Sequence, residues 1–467
     1  MPPKFGTSGL RGLVSELTDG LCAGYVRAFL QVTPHSGRLM IGRDLRPSSE
    51  RIAAAVAAAA AAEGLEPVDC GEVPTPALAL AAMEAGAPSV MVTGSHIPAD
   101  RNGLKFYTAN GEITKDDEAA ILQAYAGEAD CPPADAVRDP EALPAYRRRY
   151  LACLGRGALT GLRVGVYEHS SVARDLLSET LRFLGAETVS LGRSDTFIPV
   201  DTEAVDARTR KMLAGWAADH DLAAIVSTDG DADRPLMTDA DGRVIPGDVL
   251  GTLTAHLLGA DTVVTPVSSN SMIELSGRFA RVIRTRIGSP FVIAAMQAAP
   301  KDARVAGFEA NGGFLLGFAA EGRGGLIAPL ATRDAFLPIL VPLAETMRRG
   351  MGLAELVAAL PARATASDRL TGVATEKSLA LVGLLARDPE AREVFFNGHG
   401  AEAGLDLTDG LRVTFQSGVV LHLRPSGNAP ELRCYAEAED DETAARLVQE
   451  VLKTAQETID GDRPSRV

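Results

Sequence analysis

Apolar and polar positions divide the chain into short apolar runs alternating with longer amphipathic or alanine-rich stretches. Leu39–Ile41 predicts a short buried strand ending at Gly42-Arg43-Asp44. Ser48 or Ser49 then caps a helix that runs through the alanines to Gly64, which suits a helix C′ position. Alanine has the best helix propensity, so the run reads as a tightly packed helix rather than low-complexity sequence. Ser89–Val92 is a further apolar strand, leading directly into Thr93-Gly94-Ser95-His96.

The rhythm recurs. Leu162–Val166 predicts a strand, followed by a helix from about Val172 to Leu184 that Gly185 closes. Leu222–Val226 runs into Ser227-Thr228-Asp229-Gly230-Asp231. A helix over Asp248–Leu258 precedes a strand at Thr262–Val264, and Val305-Ala306 leads into Gly307-Phe308-Glu309. Strands alternating with helices predict α/β domains with mixed or mostly parallel sheets. In such sheets function gathers in the loops beyond the strand C-termini. The last hundred residues differ. Leu411–Phe415 and Val419–Leu423 read as a hairpin, Leu432–Ala436 as a third strand, and Asp441 as the cap of a final helix to about Thr458. This predicts a smaller C-terminal α+β domain.

A chain of 467 residues suggests about three or four domains. Soft boundaries fall at Cys131–Pro144, Asp239–Gly247 and Pro361–Asp368. The expected division is 1–145, 146–246, 247–364 and 365–467. A formal net charge of -15 repels nucleic acid and acidic lipid headgroups, so neither is an expected partner. An anionic small molecule then needs basic residues concentrated locally. The five cysteines are scattered without CxxC spacing, which argues against a zinc site or a disulfide framework and for reduced thiols in the cytoplasm. There is no apolar signal core at the N-terminus, and the most apolar stretches are too short to span a bilayer.

Chemistry concentrates in five loops. Asp229-Gly230-Asp231-Ala232-Asp233-Arg234 sets carboxylates at alternate positions, a donor set for a hard divalent cation or else a solvated acidic turn. It is no EF-hand, because Arg234 and Ala240 stand where Gly and Glu are needed. Thr93-Gly94-Ser95-His96-Ile97-Pro98 offers Ser95 as a nucleophile, with His96 and Lys105 near it. Thr93 excludes the GxSxG elbow of hydrolases. Phe5-Gly6-Thr7-Ser8-Gly9-Leu10-Arg11-Gly12 combines glycine, hydroxyls and one guanidinium, the ingredients of a phosphate contact. Arg424-Pro425-Ser426-Gly427-Asn428, followed by Arg433, sets the same groups on a strand–turn–strand element. Gly307-Phe308-Glu309-Ala310-Asn311-Gly312-Gly313 places a carboxylate and an amide on a glycine-rich loop, which suits vicinal sugar hydroxyls.

Taken in their order along the chain, these loops resemble the α-D-phosphohexomutase family, over nearly the whole length from Phe5 to Tyr435. The resemblance implies three α/β domains and a smaller C-terminal one around a central cleft. It implies that Ser95 carries the transferring phosphate and that Ser95, Asp229, Asp231 and Asp233 hold Mg2+. Arg11, Lys105 and His96 would stand near the transferring group as charge-stabilising or proton-transfer residues. Thr7, Ser8, Arg234, Glu309 and Asn311, with Arg424, Ser426, Gly427, Asn428 and Arg433, would bind substrate. Hexose phosphates are the implied partners, and a hexose 1,6-bisphosphate the activator and intermediate. That intermediate must turn end for end, which favours a phosphate grip on a mobile domain. Monomer and homodimer stay open.

The chain departs from the family pattern in four places. The serine loop usually reads TASHNP, so Gly94 and Ile97 differ. The sugar loop often reads GExSGH, where Asn311 and Gly313 stand here, and a loop that often carries Gly-His reads Gly288-Ser289. The distal phosphate loop has Gly427-Asn428 where many members have Gly-Thr or Asn-Thr. The GFEANGG and RPSGNAPELRCY forms resemble those of bacterial members acting on mannose phosphates, so mannose is the expected sugar and glucose the alternative. A catalytically silent phosphosugar-binding protein is the reading from another class. It would be signalled by loss of Ser95 or of the aspartates, all of which are present.

Overall fold

The computed structural model describes residues 3–6, 9–426 and 430–461. The chain forms two compact units, Met1–Val264 with Gly288–Val357, and Thr265–Ile287 with Ala358–Val467.

In the first unit, the largest sheet is ordered Lys4–Gly6, Gly9–Leu13, Arg101–Thr108, Ser89–Val92, Arg38–Arg43, Glu66–Glu72 and Val137–Arg138. Its Arg38–Arg43 strand is parallel to both neighbours, whereas Arg101–Thr108 is antiparallel to Ser89–Val92. All residues of Ser89–Val92 are buried, as expected of a strand covered on both faces. The helices Asp19–Val32 and Ser49–Ala62 supply much of that cover, and the alanines of the second are small enough for close packing. A second sheet sets Glu187–Leu191, Arg163–Tyr167 and Ala224–Thr228 parallel, with Pro235–Met237 antiparallel at the edge. A third joins Thr262–Pro266 and Val305–Phe308 in parallel, then Phe314–Leu316 and Leu330–Asp334 antiparallel.

The second unit is built on an antiparallel sheet ordered Ala364–Thr371, Glu431–Ala438, Val420–Pro425, Leu411–Phe415 and Glu402–Asp406. The helix Asp441–Asp460 buries Leu447, Val448, Val451 and Leu452 in that unit's core. The expected fold class, α/β domains with mixed sheets plus a smaller α+β portion, is what the chain adopts.

Two expected caps are corrected. Asp440, not Asp441, caps the last helix, its carboxylate accepting from the Thr443 amide at 2.7 Å. Ser48 occupies the N-cap position of Ser49–Ala62 but makes no side-chain cap bond, and the Ser49 hydroxyl donates to Asp44 at 2.6 Å. A buried carboxylate outcompetes the helix end for that hydroxyl. All five cysteines are free. Among the described residues no helix is long and apolar enough to cross a membrane.

Candidate active site

Three strand C-termini of the first unit deliver the key loops: Ser89–Val92 the serine, Ala224–Thr228 the aspartates, and Val305–Phe308 the glycine-rich loop. Ser95 is fully buried with φ 53°. A non-glycine residue in the left-handed region is strained, and such residues persist only where their surroundings over-determine them. Here the surroundings do. The Thr93 hydroxyl accepts from the Ser95 amide at 2.8 Å and donates to Asp44 at 2.7 Å. The buried Arg46 guanidinium donates to the carbonyls of Ser95, Ile97, Pro98 and Arg101 at 2.6–2.9 Å. It also contacts the Asp44 carboxylate at 3.2 Å and lies 3.9 Å from the Phe197 ring centroid. Arg46 thus organises the serine loop, and the sequence reading missed it. Its one signal was an acid and a base two residues apart at the end of a buried strand.

The Ser95 hydroxyl donates to Asp229 Oδ2 at 2.6 Å. The loop that carries Asp229 closes on itself, with the Asp229 amide donating to the Arg234 carbonyl at 3.1 Å and Ala232 at φ 60°. That turn gathers Asp229, Asp231 and Asp233, whose carboxylates offer oxygens within 4.8 Å of one another. All three are fully buried. Lys105 donates to Asp231 and to Asp233, each at 2.6 Å, and the Thr75 hydroxyl to Asp231 at 2.5 Å. Burial together with Asp231 and Asp233 pushes the Asp229 carboxyl well above the carboxylate range. Burial works in the same direction on Asp231, but Lys105, Thr75 and Arg333 prevail and hold it below that range. A divalent cation fits this set. Asp231 Oδ1 and Asp233 Oδ1 are buried without a hydrogen-bond partner, an arrangement that three clustered carboxylates rarely keep unless a cation satisfies them.

His96 Nδ1 accepts from Arg234 at 2.9 Å and lies 3.3 Å from the Ser95 hydroxyl. Burial and Arg234 pull its pKa down to about 3, so the imidazole is neutral at physiological pH. Burial, then Arg234 and Arg333, bring Arg11 down to about 10. On the glycine-rich loop, Glu309 and Asn311 are buried. Asn311 Oδ1 accepts from the Gly313 amide at 3.0 Å.

Ser95, His96, Lys105, Arg11, Arg234, the three aspartates, Glu309 and Asn311 therefore belong to one unit and one neighbourhood. Arg424, Ser426 and Arg433 belong to the other unit, on and beside its last two strands. There Arg424 and Arg433 stand directly opposite each other, and Arg433 faces Arg369 on its other side, a third arginine the sequence reading missed. Asp409 pairs with Arg424 at 2.9 Å, and Glu431 with Arg433 at 3.4 Å. Thr7, Ser8, Gly427 and Asn428 lie outside the described residues.

Sequence models of phosphoglucomutase/phosphomannomutase match the chain in three parts: α/β/α domain I at residues 2–130, α/β/α domain III at 246–364 and the C-terminal domain at 355–454. A phosphomannomutase of Sinorhizobium fredii is 47% identical, with 97% of this chain and 98% of that protein covered. A phosphomannomutase of Salmonella muenchen is 45% identical, covering 96% and 95%. A solved phosphoglucomutase/phosphomannomutase family protein from Burkholderia thailandensis has the same fold, with a TM-score of 0.76 at 21% identity over 98% of this chain and 97% of its own.

Proposed function

This chain belongs to the phosphoglucomutase/phosphomannomutase family, and we propose that it is a phosphomannomutase. It interconverts mannose 1-phosphate and mannose 6-phosphate through phospho-Ser95 and a hexose 1,6-bisphosphate. One observation carries the reading: a buried, backbone-strained serine whose hydroxyl bonds to one of three convergent buried aspartates. Relatives at 45–47% identity named phosphomannomutase direct it to mannose.

Asp229, Asp231 and Asp233, with an oxygen on Ser95, would hold Mg2+, which supplies a fixed double positive charge beside the transferring phosphoryl oxygens. The chain's own residues do the remainder. The strained Ser95 backbone, pinned by Arg46 and Thr93, points the Oγ at one place, and phosphoryl transfer depends chiefly on such positioning. Arg11, Lys105 and Arg234 lie around the aspartates and spread the charge of the group in flight. The phosphoryl group leaves Ser95 Oγ for the free hydroxyl of the hexose monophosphate as that hydroxyl's proton passes to Ser95 Oγ, and the bisphosphate then returns its other phosphate to Ser95 with the proton going back to the freed sugar oxygen. His96 is neutral and already accepts from Arg234, so it holds that guanidinium in place. Glu309 and Asn311 meet sugar hydroxyls. Arg424, Ser426 and Arg433, with Gly427 and Asn428, take the phosphate that is not reacting, and Thr7 and Ser8 contact a substrate phosphate. A hexose 1,6-bisphosphate is the activator, because it recharges an unphosphorylated Ser95. The four-part division at 145, 246 and 364 would put the Phe5–Gly12 and serine loops in the first part and one loop in each of the others.

The test is the ratio of kcat/KM for mannose 1-phosphate and glucose 1-phosphate, with Mg2+ and a trace of hexose 1,6-bisphosphate. Preferred turnover of mannose 1-phosphate is expected. A clear glucose preference keeps the mechanism and rejects the sugar. Net release of inorganic phosphate without isomerisation rejects the mutase.

A further inference from the structure

Arg333 is among the largest fully buried side chains of the protein, and the sequence reading gave it no role. A buried guanidinium is costly unless its donors meet carboxylates. Its Nε lies 3.2 Å from Glu112 Oε1, its Nη2 3.1 Å from Asp233 Oδ2 and its Nη1 3.6 Å from Glu309 Oε2. These carboxylates come from three segments far apart in the chain: the Gly111–Glu112 strand, the aspartate loop and the glycine-rich loop. Glu112 is fixed independently, because the Ser289 hydroxyl donates to its other oxygen at 2.7 Å. The cation is thus anchored on Glu112, while its two other arms reach the aspartate loop and the glycine-rich loop.

Gly313 shows what the arrangement requires. A Cβ at Gly313 would lie 2.9 Å from Arg333 Cδ and 3.0 Å from Cγ. The backbone there does not need glycine, because φ lies outside the left-handed range, so the constraint is the volume of the arginine stem. Glu309 Oε2 makes no hydrogen bond despite its burial. That same oxygen faces Arg333 Nη1 at 3.6 Å, so the guanidinium is the positive charge set against this carboxylate. Gly313 and Ser289 stand where the family pattern carries histidines, and both adjoin this one network.

We infer that Arg333 is the positioning residue of the sugar loop: it directs the Glu309 carboxylate toward substrate hydroxyls and ties that loop to Asp233, with Gly313 leaving room for its stem. The inference rests on the reading above that Glu309 meets the sugar.

The experiment compares the full-length wild type with Arg333→Met, Arg333→Lys and Gly313→Ala. Steady-state kinetics on mannose 1-phosphate are measured alongside hydrogen exchange of peptides covering Glu309–Gly313 and Ala224–Thr228. Arg333→Met should raise KM by about tenfold or more while kcat changes less, with Arg333→Lys in between. Gly313→Ala, which keeps the guanidinium but crowds its stem, should raise KM in the same way. Exchange should quicken by about tenfold in the Glu309–Gly313 peptide and stay unchanged in Ala224–Thr228. If Arg333→Met does not fold, Gly313→Ala carries the test alone. Unaltered KM and unaltered loop exchange in Gly313→Ala would overturn the inference, as would losses that only follow the folded fraction. A wild type that turns over no hexose phosphate would reject the proposed function, and the exchange comparison would still decide on Arg333.

Discussion

The serine–aspartate centre and the arginine row of the C-terminal sheet hold charge in opposite ways. At the centre, Ser95, Asp229, Asp231 and Asp233 are fully buried, and Lys105, Arg46 and Arg333 are nearly so. Charges there interlock through short bonds, such as Lys105 at 2.6 Å from each of two aspartates. In the row, Arg369, Arg433 and Arg424 face one another across three adjacent strands, with side chains 55%, 37% and 20% exposed. Like charges directly opposite in a sheet repel, and Asp409 and Glu431 offset that only in part. On the proposed function, the difference separates chemistry from grip. Where a bond is made and broken, dry and fixed charges act at full strength and need no reorganisation. Where a phosphate only has to be held, a wet row of planar cations suffices, and solvent weakens it.

The largest effect belongs to the centre. Ser95→Ala should lower kcat/KM by at least about 10⁴-fold, because it removes the proposed nucleophile. Circular dichroism and Tm should stay near wild type, since one loop hydroxyl adds little to a core. Turnover above about one hundredth of wild type would show that this centre is not where phosphate is carried.

The arginine row should respond more mildly and in a different currency. Arg424→Gln should raise KM about 10–100-fold with a smaller change in kcat. The wild-type KM should also climb with ionic strength, and the variant's should climb less, because a partly exposed cation is screened by salt. Equal salt dependence in the two proteins would remove the contrast between the regions.

The smallest effect compares a matched histidine in each region. His169 is buried with Nε2 2.9 Å from the Thr228 carbonyl, and His422 with Nε2 2.6 Å from the Asp409 carbonyl. Each has a buried Nδ1 without a hydrogen-bond partner. Burial, reinforced by Arg174 and Arg412 respectively, holds each pKa at about 4. An unfolded histidine takes up its proton near 6.5, so the unfolded state binds more protons as pH falls below that value. The stability each neutral histidine lends is therefore complete above about pH 6.5 and is lost as pH falls toward 4, by about 1–3 kcal/mol per residue. Urea melts at pH 7 and pH 5 check this: His169→Gln and His422→Gln should each flatten the fall, in separate units. A fall that is equally steep in both variants would assign acid lability to other groups.

The α/β rhythm was legible because apolar runs and capping residues act within a few positions. Ser89–Val92 was read to the residue, and Ala224–Thr228 was placed within two positions of its observed bounds. Where neighbouring groups competed, local reading failed. Asp440 and Asp441 are chemically the same cap, and only the path of the chain chose the first. The Ser49 hydroxyl went to Asp44 because burial made that bond more valuable than a helix end.

By itself the sequence determined which candidate groups share a loop, because the aspartates sit in one hexapeptide and the serine follows one strand. It did not determine which groups meet. Ser95 and Asp229 are 134 positions apart, and Arg333 and Glu112 are 221 apart. Hydrogen bonding and desolvation depend on distance in space and on exclusion of water, neither of which is carried by spacing along the chain. An arginine such as Arg333 therefore reads as an ordinary charge in a strand until the sheets assemble and close around it.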